Sequence, residues 1–177
     1  MKGLNMRYWA ICLAVFGALL LGGCGGNLLQ PTVIIPFGIS PFTTVGTTPP
    51  GLYHQDVNAQ ADTTWSQYVG KIAGYDGTRI TMNAVNADVT PATMDIYISG
   101  DAGLSAAQVV SSGKKLMTIN IPAGTNDIDS DWQPLTEDAG TLLKTAKFTM
   151  YVVGTPSSLN VTCTNVKIEG KFRVNVL

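Results

Sequence analysis

Histidine and cysteine are scarce in this chain. His54 is the single histidine among 177 residues, and the three cysteines are Cys12, Cys24 and Cys163. Ser–His–Asp or Cys–His catalysis needs a base that titrates near neutrality. His54, between Tyr53 and Gln55, reads as a surface residue instead. A closed zinc site takes four Cys, His or acidic ligands, and the Cys and His supply here is too thin for the usual sets. Charge is also thin, at 13% Asp, Glu, Lys and Arg with a formal net charge of -1. A nucleic-acid binder needs a basic face to neutralise phosphates, and this charge balance argues against that class. No glycine cluster sits between a strand and a long helix, which removes the phosphate-cradling loops. Aromatic residues make up only 8%, so any core is mainly aliphatic. The length allows one domain of ordinary size or two small ones.

The N-terminus carries an address. Lys2 and Arg7 precede an apolar run, Tyr8 to Leu21, which ends in Gly22, Gly23 and Cys24. Charge, a short apolar core and small residues are the layout of a secretory signal. The run is about 14 residues, short of the ~20 that span a bilayer as a helix. Its tail, Leu21-Gly22-Gly23-Cys24, resembles the lipobox of bacterial lipoproteins. The resemblance implies that residues 1–23 are removed and that Cys24 is lipidated on sulfur, becoming the first mature residue. It also implies, through Gly25, export to the outer membrane. Each buried CH₂ contributes ~0.8 kcal/mol, so two or three acyl chains on one cysteine hold permanently where one holds marginally. With Cys12 removed and Cys24 lipidated, Cys163 remains alone, and its place in an alternating apolar run makes it a buried filler rather than a reactive thiol.

Residues 24–51 form the next unit: the lipidated cysteine and then a Pro/Gly/Thr-rich segment with no charge. Pro31, Pro36, Pro41, Pro49 and Pro50 break helices and remove ladder donors. The expected state is an extended tether, reaching from roughly 30 Å as a coil to about 85 Å drawn out. Val33, Ile34, Ile35, Phe37, Ile39 and Phe42 are too apolar for a solvated spacer. The tether is therefore expected to dock partly on the domain, for example as an edge strand; a dedicated partner-binding strand is the alternative.

Residues 52–177 read as one all-β domain, an antiparallel β-sandwich of immunoglobulin-like or jelly-roll-like type. Thr, Val, Ile and Asn dominate, and turn signals recur every 8–12 residues or so. In the last strand Val166, Ile168, Gly170, Phe172, Val174 and Val176 alternate with Lys167, Glu169, Lys171, Arg173 and Asn175. A period of two sorts these onto opposite faces, as no helix can. Shorter alternations centre on Met82, Ile96, Ile119 and Met150. Asp76-Gly77 is a two-residue hairpin signal joining strands near 66–75 and 78–86. The apolar parity switches between Cys163 and Val166, which predicts a bulge at Thr164–Asn165. Gly154 to Ser158 reads as a turn closing a further hairpin. Short helices are expected at Ser105–Val110, with Ser105 as N-cap, and within Glu137–Leu143.

Asp127, Asp129 and Asp131 alternate beside Trp132. A loop there can turn three carboxylates toward one centre, and Ca²⁺ takes six to eight oxygens. Asp138, eleven positions after Asp127, echoes an EF-hand, but Trp132 stands where that loop requires Gly. An unoccupied acidic loop is the simpler reading. Trp132, in a polar stretch, is a candidate for stacking on sugar, whereas Trp65 reads as core. Lys167, Lys171 and Arg173, with Lys144 and Lys147, offer a basic face to anionic lipid or polysaccharide. The expectation is a membrane-anchored, non-enzymatic structural or binding module of the cell envelope, at the outer membrane, requiring no cofactor. Its partners are the bilayer through Cys24 and an envelope protein or polysaccharide. The alternatives are a calcium-assisted carbohydrate-binding lipoprotein and a hydrolase using paired carboxylates.

Overall fold

A computed structural model describes residues 30–45, 51–155 and 160–175. The signal segment, Cys24 and Val176 lie outside these residues.

Two antiparallel sheets face each other. The elements are β1 (Thr32–Gly38), β2 (Phe42–Val45), β3 (Leu52–Asn58), α1 (Thr63–Tyr68), a 3-10 turn (Val69–Lys71), β4 (Ile72–Asn86), β5 (Ala92–Ser99), α2 (Ala106–Ser112), β6 (Lys114–Ile121), β7 (Gly124–Asp129), α3 (Glu137–Leu143), β8 (Lys147–Thr155) and β9 (Asn160–Val174). One sheet runs β1-β9-β4-β7, with β2 also paired to β9; the other runs β3-β8-β5-β6. β1 and β2 pair with successive parts of β9, so they act as one interrupted edge strand. Counted so, the eight strands run 1-8-3-6 and 2-7-4-5, which is the jelly-roll order rather than the immunoglobulin one.

Strand β9 organises the first sheet. Val166, Ile168, Phe172 and Val174 are buried, as are Val161 and Cys163 beyond the parity switch. A one-residue slip would bury Lys167, Glu169, Lys171 and Arg173, so the register is fixed. The expected bulge is present: Thr81 pairs with Lys167 but Asn83 pairs with Thr164, which leaves one extra residue on β9. Asn165 takes the left-handed conformation there (φ 53°). Its amide donates to Asn83 Oδ1 at 2.7 Å, compensating a conformation that Asn tolerates better than branched residues.

Within the segment expected as a tether, residues 32–45 are part of the sandwich, and the expected docking as an edge strand is found. Ile35, Phe37, Ile39 and Phe42 are buried in the main core. Phe37 meets Phe148 edge-on at 5.5 Å and Trp65 at 6.5 Å. Phe42 stacks on Tyr53 with centroids 4.1 Å apart. The β-fold therefore starts at Thr32 and not at residue 52. Pro36 fits because β1 is an edge strand, where a missing ladder donor is tolerated.

The Asp76-Gly77 hairpin does not form. β4 continues through it, and Asp76 is the extra residue of a bulge between Tyr75 and Gly77. Gly77 is needed because a Cβ there would lie 2.9 Å from the Gln133 carbonyl oxygen. That close approach lets Thr78 and Gln133 exchange two backbone hydrogen bonds of 2.8 Å. The region expected as the first hairpin strand instead begins with α1, whose N-cap Asp62 accepts from the Thr64 and Trp65 amides. Gly154 to Ser158 likewise joins no hairpin: β8 pairs with β3 and β5, and β9 pairs in the other sheet.

The two expected helices are α2 and α3. Ser105 and Gln108 form a reciprocal capping box on α2. α2 and the loop before it cover the outer face of the second sheet, where Tyr97, Val109, Tyr151 and Val153 form a second buried cluster. Tyr151 Oη donates to Asp101 O at 2.7 Å and accepts from the Leu104 amide at 3.2 Å. This layer explains why β8 is buried on both faces.

Candidate functional site

The outer face of the β9 sheet carries a polar array. Arg79 on β4 lies beside Glu169 on β9, and its Nε donates to the Glu169 carboxylate. Arg79 Nη1 is 3.6 Å from Asp129 on β7. The hydrogen bond from Arg79 to Glu169 raises the arginine pKa further, so the guanidinium stays charged at any physiological pH. Trp132 lies over this array. The Arg79 guanidinium carbon is 5.1 Å from its ring centroid and Lys171 Nζ is 5.6 Å away. Both cations come within cation–π range. Trp132, the candidate for stacking on sugar, is half-buried, with two cations of its own protein set against its ring.

The three aspartates are also placed. Asp127 and Asp129 point to one face of β7, and Asp131 follows in the segment that leads to Gln133. All three border a shallow depression of about 380 Å³ between β6 and β7. On the β4 side of β7, Asp127 accepts a hydrogen bond from the Asn83 amide, and Asp129 faces Arg79. Asp138 lies elsewhere, on α3, and pairs with Lys114 at 2.8 Å. Among the described residues no three His, Cys, Asp or Glu side chains are grouped as a metal site. The alternating spacing puts side chains along a strand face, and a cation cage needs them to converge from a turn.

Part of the basic strand face is engaged within the protein. Arg173 Nε lies 2.8 Å from Asp76 Oδ1, Lys171 covers Trp132, and Lys147 belongs to the other sheet, opposite Asn58.

The two carboxylates with a resolved shift move down, opposite to a general acid. Burial lifts Asp95, but hydrogen bonds from Lys115 and Thr118 and the Lys115 charge more than reverse this. Asp138 is lowered by the hydrogen bond and charge of Lys114. His54 is exposed on edge strand β3, 5.9 Å from the Tyr151 ring. Cys163 is fully buried, and burial pushes its thiol up to about 12.

A cavity of about 670 Å³ lies at the helical end between β3, β8 and the α3 region, with Asp56, Gln60, Leu142, Lys147 and Phe148 in its wall. A neighbouring one of about 470 Å³ shares Gly100, Leu142 and Thr145 with it. Sequence reasoning missed both, because their walls are drawn from distant stretches and no local spacing marks them. Inside the first, Thr149 Oγ1 donates to Asp56 Oδ1 at 2.6 Å.

No protein-family model and no curated protein matches the chain. Among solved structures, one titled Desmodium yellow mottle tymovirus aligns over 88% of this chain and 93% of its own at 12% identity and a TM-score of 0.28. A structure of Bacillus endospore appendages, described as disulfide-linked pili, aligns over 86% and 97% at 12% identity and a TM-score of 0.34. One of a Kashmir bee virus empty particle aligns over 93% and 90% at 11% identity and a TM-score of 0.30. Scores this low carry no argument, and the jelly-roll assignment rests on the strand order.

Proposed function

We propose that this chain is a lipid-anchored, non-enzymatic structural or binding module of the bacterial cell envelope, held at the outer membrane through Cys24. The observation that carries the reading is the sequence Leu21-Gly22-Gly23-Cys24 at the end of a short apolar run behind Lys2 and Arg7. Its resemblance to a lipobox supplies the anchor, and ~0.8 kcal/mol per buried CH₂ supplies the strength.

The sandwich suits a scaffold. Eight of its charged side chains are paired with one another, as Arg79–Glu169, Lys114–Asp138, Lys115–Asp95 and Arg173–Asp76. Such pairs fix surface geometry more than they add stability. The partner is an envelope protein or polysaccharide.

Replacing Cys24 with Ala tests the anchor. The unaltered chain should sediment with membranes and resist high-salt washing, and the variant should appear in the aqueous fraction or accumulate unprocessed. Equal partition of the two proteins would overturn the proposal.

A further inference from the structure

The position of β1 sets how the sandwich faces the bilayer. Residues 25–31 alone separate Cys24 from Thr32, the first residue of the sheet. Seven residues reach at most about 25 Å. Pro31 is already fixed to the fold, because its carbonyl accepts from the Val174 amide at 3.0 Å.

The start of β1 lies at the helical end of the sandwich. Thr32 pairs with Arg173, and Ile72, the first residue of β4, pairs with Val174. The 3-10 turn Val69–Lys71 precedes Ile72, and the Asn175 amide donates to Lys71 O at 2.8 Å. Lys144 Nζ donates to Ile72 O at 3.2 Å. Lys71, Lys144 and Arg173 are thus gathered around the point where the chain leaves for Cys24, with Val69 41% exposed beside them. Asp76 faces Arg173, while Lys71 and Lys144 have no carboxylate within 4 Å among the described residues. The opposite end differs in character. Its described connections, residues 87–91 and 122–123, contain one charged residue, Asp88, and Val89 is 94% exposed. β4 alone separates the two ends by roughly 45 Å, at ~3.3 Å per residue.

We propose that the corner formed by Val69, Lys71, Lys144 and Arg173 rests on the anionic headgroups of the bilayer that holds Cys24, so that the loop around Val89, whose one charge is the acidic Asp88, points away from the membrane. This rests on the lipid-anchor reading above. The short leash limits the distance, the cations suit anionic headgroups, and an exposed valine flanked by lysine suits the interface.

Energy transfer tests it. The lipid-carrying full chain, with Val69→Cys or Val89→Cys, is labelled with a donor dye; buried Cys163 stays unlabelled. The protein is placed in phosphatidylethanolamine–phosphatidylglycerol vesicles containing a headgroup acceptor. Transfer from position 69 should exceed that from position 89 at least several-fold, and Lys71→Glu with Lys144→Glu should bring the ratio toward one. A lipid-carrying protein with equal or reversed transfer overturns this orientation alone. A ratio untouched by the double charge reversal overturns the basic corner as the contact. A protein with no lipid on Cys24 overturns the anchor, and this inference with it.

Discussion

Phe37→Ala separates a docked strand from a tether. Phe37 is 0% exposed, in contact with Trp65 and Phe148 from α1 and β8. Truncating a buried phenylalanine costs about 3–5 kcal/mol through lost transfer energy and the cavity left behind. β1 is an edge strand and can move inward to close part of that cavity, which places the expected loss near the lower figure, about 3 kcal/mol. Against a total of about 5–15 kcal/mol this is a large fraction. With a urea slope of about 1–3 kcal/mol per molar, the midpoint should fall by at least about 1 M. The assay is urea unfolding followed by tryptophan fluorescence, on the polypeptide from Gly25 onward. Ile34→Ala is the control: it lies on the same strand, faces outward and is 46% exposed, so its cost should stay below about 1 kcal/mol. Equal midpoints for the two variants would show that residues 32–45 are not held in the core.

Cys163 should not react with a thiol reagent at pH 8 in the native protein and should react fully in denaturant; native labelling at the rate of a free thiol would contradict its burial. Asn165→Val should cost about 1–2 kcal/mol, because a branched side chain resists the left-handed backbone, whereas Asn165→Gly should cost less; calorimetry compares them. The depressed Asp95 stabilises the fold above its unfolded pKa, and that contribution is lost as pH falls through the lower folded value. The acid limb of the stability curve, below about pH 4, should therefore flatten in Asp95→Asn; an identical limb would contradict the role of Lys115. Millimolar Ca²⁺ should leave the melting temperature unchanged, since Asn83 and Arg79 already engage Asp127 and Asp129; a ligand bound only by the folded state would raise it.

Much of the fold is written in side-chain alternation. β9 is legible because each step from Val166 to Val174 reverses polarity, and the bulge at Asn165 is legible as a broken parity. Strand pairing is not, because it depends on partners far apart in sequence. Asp76-Gly77 has the composition of a hairpin turn, yet β9 offers β4 a continuous partner on both sides of it, and the longer ladder prevails. Phe37 and Phe42 announce burial among prolines that announce a linker, and burial decides. Trp132 sits in a polar stretch, but Gly77 and the two cations draw it onto the sheet. The aspartates show the same limit: their spacing is real, and only the backbone path decides whether they converge.

The central claim is tested most directly by intact mass spectrometry of the protein extracted from membranes. The account predicts a chain beginning at Cys24 and heavier than its sequence by a diacylglyceryl group, with or without a further acyl chain. An unmodified Cys24, or a chain retaining residues 1–23, would contradict it.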